Sequence, residues 1–224
     1  LASTLAAGRR VAVAASRAGV ERLVFLSTTR VYGDTVAPGV TIGTQTVPCP
    51  RHPYAIARLA VEHLAAAEGP EHLVVLRLTS AVGAMPDPRV DRWSLVANDL
   101  CRQATQGDVL RLRTSGHQWR DFIALSDAIV AMEAAARGDI PAGTYDLGSG
   151  TPTRVLDLAT TVAEVATEVM GRFTSVAAPP HEGPSPAPSP IDVSPLAELG
   201  LRAATPLREA VRETLLACVS GSPS

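Results

Sequence analysis

The chain has 224 residues, of which 46% are hydrophobic, 19% charged and only 4% aromatic, and its formal net charge is −2. This balance excludes a disordered polyelectrolyte, and the lack of a basic excess argues against a nucleic-acid binder. No apolar run approaches the roughly 18 residues that would span a bilayer, so no membrane partner is expected.

The length is enough for one large or two small domains with a real core. The opening reads as an amphipathic helix containing Arg9 and Arg10 rather than as a secretory signal. Cys49, Cys101 and Cys218 are odd in number and far apart, without zinc or disulfide spacing. They read as reduced thiols of a cytoplasmic protein, with no metal site. All 20 basic residues are arginine, and the first residue is Leu1.

In chain order, Ala2 to Ala15 carries alanine, leucine and valine at helical spacing, and Gly19 is the stop. Arg22 to Ser27 is a short apolar run that suits a buried parallel strand. From Tyr32 to Pro53 the glycines and prolines predict a long loop. A helix follows from Tyr54 to Ala67, and a second buried strand from Leu73 to Thr79. Helix, strand, helix, strand predicts right-handed crossovers and a parallel sheet. The fold class is α/β.

Further on, Ala84 to Val90 reads as loop, Trp93 to Gln106 as helix and Val109 to Leu112 as a short strand. Ser126 is expected to cap a helix running to Arg137, with Gly138 after it. Thr144 to Leu147 reads as a strand, and Thr153 as the cap of a helix to Met170. Ala177 to Pro190 is proline-rich and irregular. Ser194-Pro195 and Thr205-Pro206 open two final helices, and a disordered tail follows from Ser220.

Three clusters carry chemistry. Ser27 and Thr28 close a strand at the edge where doubly wound sheets receive ligands. Tyr54 and Arg58, four apart, share a helix face. A cation there favours tyrosinate and so suits tyrosine to acid/base work on an alcohol. Arg120, in a polar loop before the apolar Phe122-Ile123, could clamp a phosphate through two hydrogen bonds. Taken singly, each is more often a turn, an exposed pair or a surface ion pair.

Their succession is more informative than any one of them. Strand, Ser27-Thr28, Val31-Tyr32-Gly33, a loop of about 20 residues, Pro53-Tyr54 with Arg58, a strand ending Arg77-Leu78-Thr79-Ser80, then Arg120-Asp121-Phe122-Ile123 occur in one order. This order resembles the extended short-chain dehydrogenase/reductase family, the NAD-dependent epimerase/dehydratases of nucleotide sugars, over nearly the whole chain. The resemblance implies the C-terminal portion of a Rossmann-like doubly wound parallel sheet plus a small, mostly helical substrate domain. It assigns residues 1–85 and 120–150 to the first and 86–119 and 151–219 to the second.

It further implies Thr28, Tyr54 and Arg58 as catalytic residues, with Tyr54 as acid/base and Thr28 sharing the reacting oxygen. Ser27, Tyr54, Arg58, Leu78, Thr79 and Val82 would lie along NAD or NADP, and Thr28, Ser80 and Arg120 along a nucleotide-sugar substrate. A homodimer is the family expectation.

Several departures qualify this pattern. The glycine-rich loop that receives a dinucleotide pyrophosphate is not among these residues, so the chain is expected to open at the fourth helix of the family's first domain. Arg58 stands where the family has lysine. Ser80 stands where many relatives have asparagine. The region from His181 to Pro184 lacks a second arginine for the diphosphate. Thr29-Arg30 replace the Asp-Glu pair of the 4,6-dehydratases, which favours epimerisation or keto-sugar reduction over loss of water. A non-catalytic sugar-nucleotide-binding relative, or a dehydrogenase of the same fold for a substrate without phosphate, are the alternatives.

Overall fold

A computed structural model describes residues 2–33, 36–84 and 95–220. The loop expected at 84–90 lies outside the described residues except for Ala84, as do the first residues of the helix expected from Trp93 and the tail beyond Ser220. In chain order the elements begin with α1 (Ala2–Arg17), β1 (Arg22–Thr28), a 3-10 turn (Thr29–Tyr32), α2 (Pro53–Glu68), β2 (His72–Leu78) and β3 (Ser80–Val82). They continue with α3 (Val96–Gln106), β4 (Val109–Arg111), β5 (Trp119–Ala124), α4 (Leu125–Arg137), β6 (Gly143–Leu147) and β7 (Pro152–Arg154). The last are α5 (Val155–Met170), β8 (Ser175–Ala177), α6 (Ser194–Glu198) and α7 (Leu207–Ser220).

The chain divides into two compact units. The first comprises residues 1–79, 128–150 and 189–202. Its sheet is parallel, in the order β1-β2-β6. The strands Arg22-Leu-Val-Phe-Leu-Ser-Thr28 and His72-Leu-Val-Val-Leu-Arg-Leu78 are near-continuous apolar runs, as a parallel sheet covered by helices requires. On one side Ala12 of α1, Ala65 of α2, Leu73 and Val75 form a small core, with Leu23 and Phe25 packed against it. Helices α1 and α2 approach closely at Gly8, where an added Cβ would lie 2.5 Å from a methyl of Val61. Pro53 occupies the first turn of α2, where its missing N–H costs nothing, and the His52 ring accepts the Tyr54 N–H at 3.2 Å.

The second unit comprises residues 80–127, 151–188 and 203–224. Helices α3, α5 and α7 pack around a core that includes Leu100, Cys101, Leu110, Leu158, Val162, Val211 and Leu215. Each fully buried aliphatic side chain of this kind contributes about 1.5–3 kcal/mol. Burial also pushes the Cys101 thiol up to about 12, so it stays protonated and behaves as a small apolar side chain. Three short pairings complete the unit: β3 parallel to β5, β5 antiparallel to β7 and β4 parallel to β8.

Some local expectations require correction. Helix α4 begins at Leu125, which places Ser126 inside it and not at its cap. Thr153 lies in β7, and the residue flanking α5 is Arg154, which makes no side-chain cap hydrogen bond. Its guanidinium is instead paired with Asp157 at 2.8 Å. The segment that holds Arg120 is strand β5, not a loop. Among the described residues no helix is long and apolar enough to cross a membrane.

Candidate active site

The carboxyl end of the first unit's sheet is built in two rows. Ser27, Arg77 and Asp146 are register partners across β1, β2 and β6, and Thr28, Leu78 and Leu147 form the next row. Side chains alternate along a strand, so the two rows face opposite sides of the sheet.

The first row anchors a buried polar network that composition alone did not reveal. Glu62 of α2 accepts from the Ser27 hydroxyl and from Arg77, whose Nη2 lies 2.7 Å from Oε2. Nη1 of Arg77 donates to the Tyr32 hydroxyl at 3.0 Å, and that hydroxyl is directed at the Asp146 carboxylate, 2.7 and 2.9 Å from its two oxygens. All five side chains are buried, Tyr32 to 1% exposure.

One cation faces two acids in this network. Burial, with the neighbouring acids Asp192 and Glu62, pushes the Asp146 carboxyl up to about 6 against the pull of Tyr32 and Arg77. Burial and the adjacent Asp146 raise the Tyr32 phenol well above its ordinary range, so it remains a donor. Burial works to lower Arg77, but the hydrogen bonds it donates to Glu62 and Tyr32 outweigh it and hold the guanidinium charged.

This network has a measurable consequence. A folded-state pKa of about 6 against an ordinary 3.8 means that the folded chain binds this proton more tightly than the unfolded chain does. Asp146 therefore stabilises most below about pH 4, and its contribution is lost as pH rises through about 6. Two pK units correspond to about 3 kcal/mol. Urea titrations at pH 4.5 and 7.5 should show Asp146→Asn gaining on the natural chain at the higher pH. An equal difference at both values would contradict the assignment.

The second row and the start of α2 carry the groups expected to do chemistry. Thr28 is buried, and its hydroxyl accepts the Arg30 N–H at 3.3 Å, capping the 3-10 turn. This leaves the hydroxyl's own proton available to donate. Tyr54 stands in the first turn of α2 and is 44% exposed. Arg58 lies one turn on, as the spacing predicts, with its guanidinium carbon 5.4 Å from the centre of the Tyr54 ring and 5.5 Å from that of Phe25. Nη1 of Arg58 donates to the Leu26 carbonyl at 3.1 Å, which ties α2 to β1. Its Nε is buried without a hydrogen-bond partner among the described residues.

Leu78 ends β2, and the Thr79 N–H donates to the Leu147 carbonyl at 2.9 Å. Ser80, Val82 and Arg120 belong to the second unit. Ser80 and Val82 pair with Phe122 and Ala124, and Val82 is fully buried in that unit's core. Arg120 is half-buried in β5 opposite Thr153 of β7. Glu62, Arg77 and Asp146 were not picked out from the sequence. Their signal was a charged residue near the end of each apolar strand, and an acid four residues after Arg58.

The carboxyl edge of this parallel sheet thus carries hydroxyls, and α2 carries a tyrosine and a cation one helical turn apart. The family model for the NAD dependent epimerase/dehydratase family matches residues 1–148, and the chain belongs to that family. The dTDP-L-rhamnose 4-epimerase of Burkholderia thailandensis is 31% identical over 134 residues; the match covers 56% of this chain and 37% of that protein's length. Thermus thermophilus UDP-glucose 4-epimerase, solved with NAD, is 26% identical with a TM-score of 0.76, covering 96% of this chain and 69% of that one. UDP-glucuronic acid 4-epimerase from Bacillus cereus, also solved with NAD, has a TM-score of 0.76 at 19% identity, over 95% of this chain and 66% of that one. It shares the fold.

Proposed function

We propose that this chain serves NAD(P)-dependent epimerisation or keto-sugar reduction of a nucleotide sugar, with Tyr54 as the acid/base. The observation that carries this reading is the Tyr54–Arg58 pair, tied through the Leu26 carbonyl to the strand that ends in Thr28. The family and the similarity to a dTDP-L-rhamnose 4-epimerase support the substrate class. Epimerisation or reduction is preferred over dehydration because Thr29 and Arg30 supply no carboxylate where elimination of water would need an acid and a base.

The residues present fit the nicotinamide-ribose end of a dinucleotide. Among the described residues the buried Arg58 Nε has no acceptor, and the Tyr54 ring lies against the guanidinium. When bound, the cofactor supplies the hydride chemistry. The chain's own residues handle the proton. Tyr54 as the phenolate, the form that the Arg58 cation favours, takes the proton of the sugar hydroxyl and becomes the phenol, while Thr28 donates to the reacting oxygen. Leu78 and Thr79 would line the nicotinamide, and Ser80 and Arg120 are assigned to the sugar phosphate on the same reading, whereas Val82, buried in the second unit's core, is not available to a cofactor. Arg120 would bind phosphate through its planar pair of donors. A second copy of the chain is the proposed partner.

In the native protein, Tyr54→Phe should lower turnover of a UDP- or dTDP-hexose by about 10²–10⁴-fold, the contribution usual for general acid–base catalysis. Binding of the sugar nucleotide, followed by thermal shift, should be largely retained. Unchanged turnover in this variant overturns the proton-transfer role.

A further inference from the structure

Tyr54, Arg58 and Glu62 follow one another at four-residue intervals on α2, so they run as one stripe along the helix. The first is half-exposed, the second tied to a β1 carbonyl, and the third buried among charged partners. We propose that Glu62 is a positioning residue that holds Tyr54 and Thr28 in a common frame. This rests on the reading of Tyr54 as the proton-transfer group.

Tyr54 sits in the first turn of α2, where helices fray, and Arg58 is its ring partner. A helix can slide along its axis and turn about it, and one contact does not fix both movements. Glu62 receives hydrogen bonds from two elements at once, from Ser27 at the end of β1 and from Nε and Nη2 of Arg77 on β2. The fork of donors on Arg77 sets the orientation of the carboxylate as well as its place. Thr28 is bounded by the same network. Ser27 precedes it, and Tyr32, which closes the 3-10 turn after it, accepts from the other arm of Arg77. The two proposed proton-transfer side chains are therefore fixed from behind by one set of buried bonds, two helical turns from the phenol.

This placement matters because reacting groups tolerate little displacement. A shift of about 1 Å can cost about 100-fold in rate without any loss of a reacting group. Glu62 need not approach the substrate to have that effect. A carboxylate whose role was stability alone would show a different signature, lowering the population of folded protein without changing the rate of each folded molecule.

The test uses the native protein with Glu62→Gln, which keeps the side chain's shape and an acceptor oxygen, and Glu62→Ala, which removes both. Turnover of a UDP- or dTDP-hexose and amide hydrogen exchange are measured on each. The expected result is a fall in kcat of roughly 10–100-fold for Glu62→Ala with KM changed far less, and partial recovery in Glu62→Gln. Exchange should quicken at residues 28–32 and 53–58 while α5 keeps its natural protection. If Glu62→Ala does not fold, Glu62→Gln decides, with a smaller kcat loss and the same local exchange pattern.

Natural kcat, natural exchange at both segments, or exchange that rises equally in α5 overturns the proposal. Should the unaltered protein turn over no nucleotide sugar, the reading of Tyr54 fails, and the exchange pattern still decides whether Glu62 holds the two segments together.

Discussion

Arg77→Met should destabilise the first unit by about 3–5 kcal/mol, the cost typical of removing one partner from a buried ion pair. Arg77 is almost fully covered and donates to Glu62 and Tyr32 at once. Methionine fills much of the space but leaves the Glu62 carboxylate, among the described residues, with the Ser27 hydroxyl alone as a side-chain donor. Tyr32 loses a donor in the same step. A chain of this size has only about 5–15 kcal/mol of stability in total, so the variant should melt far below the natural protein or be recovered largely insoluble. Pairing it with Glu62→Met should restore much of the loss, since two apolar groups remove the orphaned charge. Urea midpoints of the two single variants and the double variant check this. A single Arg77→Met protein with the natural midpoint would show that the network contributes nothing.

Gly33→Ala is the second large effect. Gly33 closes the 3-10 turn with φ 71° and ψ −164°, a region essentially restricted to glycine. A Cβ there would stand 2.1 Å from the Cys49 carbonyl oxygen and 2.9 Å from its carbon. Both are backbone atoms, so no side-chain rotation relieves the clash. The turn must move, and Tyr32, the preceding residue, moves with it. The expected loss is about 2–4 kcal/mol, strain and displacement together. Gly107→Ala is the control, because its backbone is extended and nothing lies within 4 Å of the added carbon. Thermal melts should separate the two variants by several degrees at least. Coincident melts would mean that the loop at Cys49 yields freely.

The first unit was legible from local pattern. Arg22 to Ser27 and Leu73 to Thr79 are apolar runs bounded by polar residues, and a buried parallel strand demands that composition. Helix α2 starts at Pro53, one residue before the expected Tyr54, and the meeting of Tyr54 with Arg58 followed from helical spacing alone.

What escaped depends on distant partners. Trp119-Arg120-Asp121 is too polar to announce a strand, and it becomes one by pairing with Pro152 to Arg154 and, further along, with β3. The three-residue strands β3, β7 and β8 carry too little sequence for any periodicity. Thr153 has the right chemistry for a cap, yet the antiparallel pairing claims it. The polar network was invisible for the same reason. Arg77 and Asp146 looked like ordinary strand ends, and only the register that sets them beside Ser27 gives them a common purpose.

That register also pins strand alignment. Ser27 and Thr28 are neighbours in the chain but belong to opposite sides of the sheet, one wired into the ionic interior and the other capping the 3-10 turn. Slippage of β1 by a single residue would turn its side chains to the other face and carry the Ser27 hydroxyl away from Glu62. Parallel apolar strands discriminate weakly between neighbouring alignments, since valine and leucine pack acceptably in either. The Ser27 hydroxyl's bond to the buried Glu62 carboxylate favours the observed alignment.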